Sequence, residues 1–458
     1  MFSKLTRFFI IAFTLLTASC SWPTNQSATV SLRPSYNADQ IDSKMPLALG
    51  QNPDFTIEVQ DEKYGVCSVE ASLSQGGKSL LLPLATQNTN TEEEPLLVTY
   101  RVRFSNLNTL GLTEGDAEIT MLVKNCSLFK GETKTASKAV IDLTPPRVEL
   151  TSKQHYINQG GADVATYNVS GDSVWSGLKV GPYEFKGYPR PDGGAAGEHF
   201  AFFVFSYELP QDTSIEVVAV DAAGNVGKTT LVPSKFFPKE FRQRDIPIDD
   251  KFIETKISDI IANTPTLKNT GDNLANYLLV NRELRKVNNH FLIELAGESE
   301  PRFFWKDAFR PLVNASIEAS FADFRSYFYQ QQKVDEQVHL GFDMAVVERH
   351  PILSATAGKV LFAGYLGIYG NTVVLDHGYG INTLYAHLSS IDVKKGDPIV
   401  QDQKLGNSGA TGLAGGDHLH FSLLVQGVQT NPVEFWDQHW IQDHVYLRLG
   451  QNAFGQLE

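Results

Sequence analysis

Apolar and polar positions alternate along much of this chain, marking β-rich stretches on either side of one stretch with a helical period. Residues 55–59, 97–102 and 117–123 alternate at every second position, the period of a half-buried strand. Short strands at such spacing predict an antiparallel β-sandwich over residues 20–143. The sequence Asp142-Leu143-Thr144-Pro145-Pro146 ends that region, since paired prolines have no place in a central strand. A second β region follows over residues 144–233. Its apolar strand is at 215–220, and Asp221-Ala222-Ala223-Gly224-Asn225 supplies turn chemistry after it.

Over residues 234–300 the period becomes helical, with Ile253, Ile257, Ile260 and Ile261 in one run and Leu274, Tyr277 and Leu278 in the next. Thr264-Pro265-Thr266 separates the two predicted helices, and Asp272 is placed to cap the second. His290 and Glu294 stand four apart with no third partner nearby, and read as a surface pair. Residues 301–338 are rich in aromatics, including Phe303, Trp305, Phe309 and Phe321, which predicts core. Strand patterns return at 359–362, 372–375, 382–385 and 420–425, with a hairpin turn at His377-Gly378-Tyr379-Gly380. The expected fold is mainly β. It comprises two N-terminal β-sandwiches, a helical connector over 234–300 and a C-terminal antiparallel-sheet domain over 301–445.

Composition narrows the class of partner. With 42% hydrophobic and 20% charged residues the chain reads as globular, and a formal net charge of −13 argues against a nucleic-acid partner. Residues 1–19 read as a signal peptide: Lys4 and Arg7, then an apolar run over 8–16, then small residues before Cys20. The run is shorter than the roughly 20 residues that span a bilayer. Small residues before a cysteine resemble a bacterial lipoprotein signal, which implies a lipid on Cys20. Ser21 after it resembles signals directed to the outer membrane. In an exported chain the remaining cysteines, Cys67 and Cys126, are expected to pair, with two buried free thiols as the alternative.

Candidate chemistry lies between residues 339 and 420. His339 and Asp343 stand four apart, and His418-Leu419-His420 places two imidazoles on one face of a strand. Such groups can supply the nitrogen and oxygen ligands of a zinc ion with an open position for water. The stretches HLGFDMA (339–345), GNTVVLDHGYGINTLYAHL (370–388), VKKGDPIVQDQKLGNSGATG (393–412) and GDHLHFSL (416–423) resemble the lysostaphin-type zinc peptidases, which cut peptide bonds in bacterial peptidoglycan. The resemblance implies Zn²⁺ ligation by His339, Asp343 and His420, with His387 and His418 as catalytic histidines. It also implies a peptidoglycan peptide substrate. The terminal sequences of the second β region resemble bacterial immunoglobulin-like modules. The expectation is an envelope-located, periplasmic zinc endopeptidase, lipid-anchored through Cys20. The alternative is a zinc-binding scaffold that regulates other wall hydrolases without cutting.

Overall fold

The computed structural model describes residues 28–34, 46–89, 96–128 and 131–455. The expected signal peptide and lipid-bearing Cys20 lie outside them. The chain divides into two compact units: residues 1–144 with 222–225, and residues 145–221 with 226–458. Among the described residues no helix is long and apolar enough to cross a membrane.

The first unit is built from two sheets. One has strand order Thr29–Pro34, Asp54–Gln60, Leu97–Arg103, Leu84–Thr89; the other has Leu47–Leu49, Glu132–Ile141, Gly115–Asn125, Val66–Gln75, Lys78–Leu81. Alternation dictates the packing, because Phe55, Ile57 and Val59 face inward while Thr56 and Glu58 are only partly covered. Ile119, Met121 and Val123 meet them in one core. Cys67 and Cys126 form a disulfide.

In the second unit, two four-stranded sheets over residues 148–231 make a sandwich. Val164, Leu178, Phe200, Phe202 and Val217 are buried among its strands. The sequence reading separates this sandwich from the C-terminal domain, whereas the structure runs one apolar core through both. Phe303 packs 6.0 Å from Phe200 and 4.4 Å from Phe454, and Phe202 lies 6.4 Å from Phe435, ring centre to ring centre. Polar groups reinforce the join. The Glu434 carboxylate accepts from Asn158 Nδ2 at 2.9 Å and from Ala162 N at 2.6 Å. Buried Asp163 accepts from His155, His444 and Arg448.

The C-terminal sheet has strand order Ser316–Ala319, Phe342–Ala345, Leu419–Val425, Ile381–Leu388, Asn371–Asp376, Gly358–Tyr365, Pro398–Ile399, with Val428–Thr430 on the flank of Leu419–Val425. A three-stranded sheet, Gln243–Ile248, Asp323–Tyr329 and Gln332–His339, leads into it. The helical stretch packs on the C-terminal sheet rather than extending away from it. Ile253, Ile257, Ile260, Tyr277, Val280 and Leu284 share a core with Leu361, Val374, Leu384 and Leu424. Asp249 and Asp272 cap its helices through Phe252 N and Ala275 N. His290 and Glu294 are an exposed ion pair at 3.3 Å, the surface pair their spacing suggests.

Candidate metal centre

Three side chains from three strands meet at one point. His339 ends Gln332–His339, Asp343 lies in Phe342–Ala345, and His420 lies in Leu419–Val425. Asp343 and His420 are directly opposed in the antiparallel ladder, so both project from the same face. His339 Nε2, Asp343 Oδ1 and His420 Nδ1 stand 2.9, 2.9 and 3.0 Å apart, and both imidazoles are buried.

The hydrogen bonds behind these rings fix their tautomers. His339 Nδ1 faces the carbonyl of Ser320 at 3.1 Å; a carbonyl only accepts, so the ring proton is on Nδ1 and Nε2 keeps its lone pair. Ser422 Oγ donates to the carbonyl of Leu340 at 2.8 Å and thus accepts from His420 Nε2 at 3.0 Å, which leaves the His420 Nδ1 lone pair free. Two imidazole lone pairs and a carboxylate oxygen therefore face one another with no proton between them. That arrangement repels itself, and a divalent cation at the meeting point converts the repulsion into ligation. Two imidazoles and one carboxylate are also a donor set that catalytic zinc accepts. The second oxygen of Asp343 accepts from Arg325 Nη2 at 3.1 Å. Burial works to raise the Asp343 carboxyl; whenever the surrounding histidines, His339 foremost, carry a proton toward it, they outweigh burial and hold the group well below the usual range.

His387 reaches this face through an irregularity in its strand. Strict alternation would turn it toward the side of Tyr385, whose ring is buried in the shared core. In the ladder with Asn371–Asp376, however, Asn371 pairs Leu388 and Val373 pairs Tyr385, so Ala386 and His387 together oppose Thr372. This is a β-bulge, and His387 carries the positive φ of 61° that accompanies it. The extra residue swings the imidazole onto the face of His420, with ring centres 5.7 Å from His420 and 4.9 Å from His418.

The two flanking histidines differ in their surroundings. His387 Nδ1–H donates to the Thr411 carbonyl at 2.8 Å, leaving an Nε2 lone pair. Burial and the neighbouring His418 and His420 push its basicity well below the ordinary value. His418 Nδ1–H donates to the Gly416 carbonyl at 2.9 Å, while its Nε2 faces Asp343 Oδ1 at 3.5 Å. Acceptors thus stand at both ring nitrogens. Although burial opposes it, the Asp343 carboxylate raises His418 above the ordinary value.

A family model described as peptidase family M23 matches residues 337–432. This segment is an M23 peptidase domain. It is 36% identical over 97 residues to the DD-carboxypeptidase/endopeptidase Mpg of Neisseria meningitidis, covering 21% of this chain and 22% of that protein. It is 38% identical over 96 residues to the peptidoglycan DD-endopeptidase ShyA of Vibrio cholerae, again 21% of this chain and 22% of that protein. The chain thus matches about a fifth of the length of these curated relatives. A solved structure described as a putative peptidase M23 from Pseudomonas aeruginosa is 20% identical, with a TM-score of 0.37 over 61% of this chain and 94% of that one.

All five histidine and aspartate positions singled out in the sequence lie together in the M23 domain, at a cleft of about 410 Å³. The cleft is not made by the M23 domain alone. Ile246 and Ile248 of Gln243–Ile248, Phe252, Tyr277, Arg285, Arg325 and Tyr327 also line it. Sequence reasoning missed Arg325, Ser422 and the backbone acceptors, because their roles depend on what the fold brings beside them. One local signal was available for Ser422, which stands two residues from His420 and so shares its strand face.

Proposed function

We propose that the protein is a zinc-dependent endopeptidase that hydrolyses peptide cross-links in bacterial peptidoglycan. The observation that carries this reading is the set of three unprotonated lone-pair donors facing one point, with two further imidazoles beside it. Relatives of the M23 domain that are described as peptidoglycan endopeptidases support the substrate class. A zinc ion held by His339, Asp343 and His420 would supply Lewis acidity, polarising a scissile carbonyl and acidifying water.

The chain's own groups do the remaining work. His387, with its Nε2 lone pair set by the Thr411 carbonyl, accepts the proton of the attacking water. His418, with acceptors at both nitrogens, holds a proton that it donates toward the developing oxyanion and the leaving amine. Arg325 clamps Asp343 from behind and keeps its carboxylate ionised. The apolar cleft walls exclude bulk water and orient the peptide. Export and anchoring through Cys20 complete the reading.

The test uses the full chain, loaded with zinc and incubated with isolated peptidoglycan, with released fragments read by mass spectrometry. Cross-linked dimers should convert to monomers. The conversion should stop on chelation and in His387→Ala protein that retains its metal. Persistent dimers with zinc bound would sink the enzyme reading and favour the non-cleaving scaffold. Incorporation of labelled fatty acid, lost in Cys20→Ala, checks the anchor.

A further inference from the structure

The cleft holds one cation that the chemistry above does not use. Arg325 is paired with Asp343 and Asp323, whereas Arg285 forms no ion pair with any described residue. Asp249 also lines the cleft, but its carboxylate is committed to capping Phe252 N at 2.7 Å. Arg285 is nonetheless held firmly. Its Nε donates to the carbonyl of Asn281 at 3.1 Å and its Nη2 to Asn281 Oδ1 at 2.6 Å. Asn281 is fully buried, and its Nδ2 is in turn spent on Tyr277 Oη at 2.9 Å and Asp335 Oδ2 at 2.7 Å.

Local geometry explains why the arginine is aimed this way. Tyr277, Asn281 and Arg285 are spaced by four, which puts them along one side of the helical stretch. Leu279–Leu284, which contains Asn281, is a π-helical turn, a wider coil frequent at functional sites. Two of the guanidinium's N–H groups are used, so the remaining donors of its planar fork have no partner among the described residues. The charge is felt at the metal-site end of the cleft as well. Burial raises the Tyr277 and Tyr369 hydroxyls and the Arg285 charge works against that rise, and the Tyr369 ring stands 5.7 Å from that of His420.

A rigid, partly exposed guanidinium with unused donors in a peptide-sized cleft matches a planar anion. We propose that Arg285 is a specificity-determining residue that binds a free carboxylate of the peptide lying in the cleft, so that the enzyme selects peptides carrying an acidic group beside the bond it cuts. This rests on the peptidase reading and deepens it. Arg285 lies outside the matched segment 337–432, so the assignment comes from the helical stretch alone.

The experiment compares purified peptidoglycan peptide dimers with the same dimers after their free carboxylates are converted to amides. Wild type, Arg285→Gln and Arg285→Lys full-length proteins are each loaded with zinc. Amidation should raise KM for wild type about tenfold to a hundredfold, the worth of a charge-assisted hydrogen bond, and leave kcat nearly constant. Arg285→Gln should show that same rise on native dimers and no further rise on amidated ones. Arg285→Lys should recover part of the loss, and it stands in if the glutamine variant fails to fold. Equal KM values for native and amidated dimers with wild type would overturn the inference. So would losses from mutation and amidation that multiply independently, since that marks a merely structural arginine. If no protein cleaves either dimer, the peptidase reading fails. The ratio of Kd values for the two dimers, measured on the same proteins, then decides the arginine: a preference for native dimers that Arg285→Gln abolishes sustains it. Equal Kd values, or no binding, overturn it.

Discussion

Ser422→Ala removes one oxygen atom from behind His420 and touches no metal ligand directly. In the native arrangement Ser422 Oγ links His420 Nε2 at 3.0 Å to the Leu340 carbonyl at 2.8 Å, in a place with no solvent exposure. Without it the Nε2–H has no acceptor, the Leu340 carbonyl loses a donor, and nothing enforces the tautomer that leaves Nδ1 free. Loss of such a supporting hydrogen bond weakens metal affinity about 10- to 100-fold, equivalent to about 1.4–2.7 kcal/mol. Competition against a chromophoric chelator measures the Kd directly, independent of turnover. The unfolding midpoint of metal-free protein separates this effect from general destabilisation. A Kd within about twofold of wild type, with His420 still a ligand, would refute the tautomer argument.

Three other outcomes are expected. His387 sits at a φ of 61°, where glycine is favoured, so His387→Gly should be more stable than His387→Ala by about 1 kcal/mol in chemical denaturation, and both should lack activity. Burial pushes Glu434 from 4.5 up to about 7. A raised carboxyl favours the folded state while protonated, so its contribution is full below about pH 4.5 and lost as pH rises through about 7, by about 3 kcal/mol. Denaturation across that range should show the decline, and Glu434→Gln should flatten it. Cys67→Ser with Cys126→Ser, which opens a loop with a sequence separation of 59, should cost the first unit about 4 kcal/mol by loop entropy. Denaturation midpoints with and without reductant measure it, and reductant should leave the double variant unchanged.

Much of this molecule is legible in its residues. Alternation at 55–59 and 117–123 gives strands with their inward faces assigned, and the isoleucine spacing gives the helical stretch with its buried side. The five residues that meet at the cleft, His339, Asp343, His387, His418 and His420, can be picked out as a set from their identities and order alone. Their orientation cannot. His387 follows the two-residue rule on paper and would point into the core; only the bulge opposite Thr372 corrects it. Nothing in Tyr385-Ala386-His387-Leu388 announces a bulge, because it arises from the register this strand takes against its hairpin partner Asn371–Asp376. The same holds for Arg325 and Ser422, whose partners are set by tertiary contact. The break at Pro145-Pro146 coincides with a unit boundary. The division near residue 233 follows a change of period, which reports local structure and says nothing about which faces later pack together.

The core shared by the sandwich and the C-terminal sheet ties the M23 segment to its neighbour. Phe303 and Phe435 lean on Phe200 and Phe202, and Glu434 reaches across to Asn158 and Ala162. A fragment beginning after the sandwich would bring those rings into water and strand a buried carboxylate. The site is therefore not a detachable cartridge. A protease that removes residues 145–231 would unmake the fold around the M23 segment instead of liberating an intact piece, and grafting that segment onto another carrier would require the sandwich to travel with it.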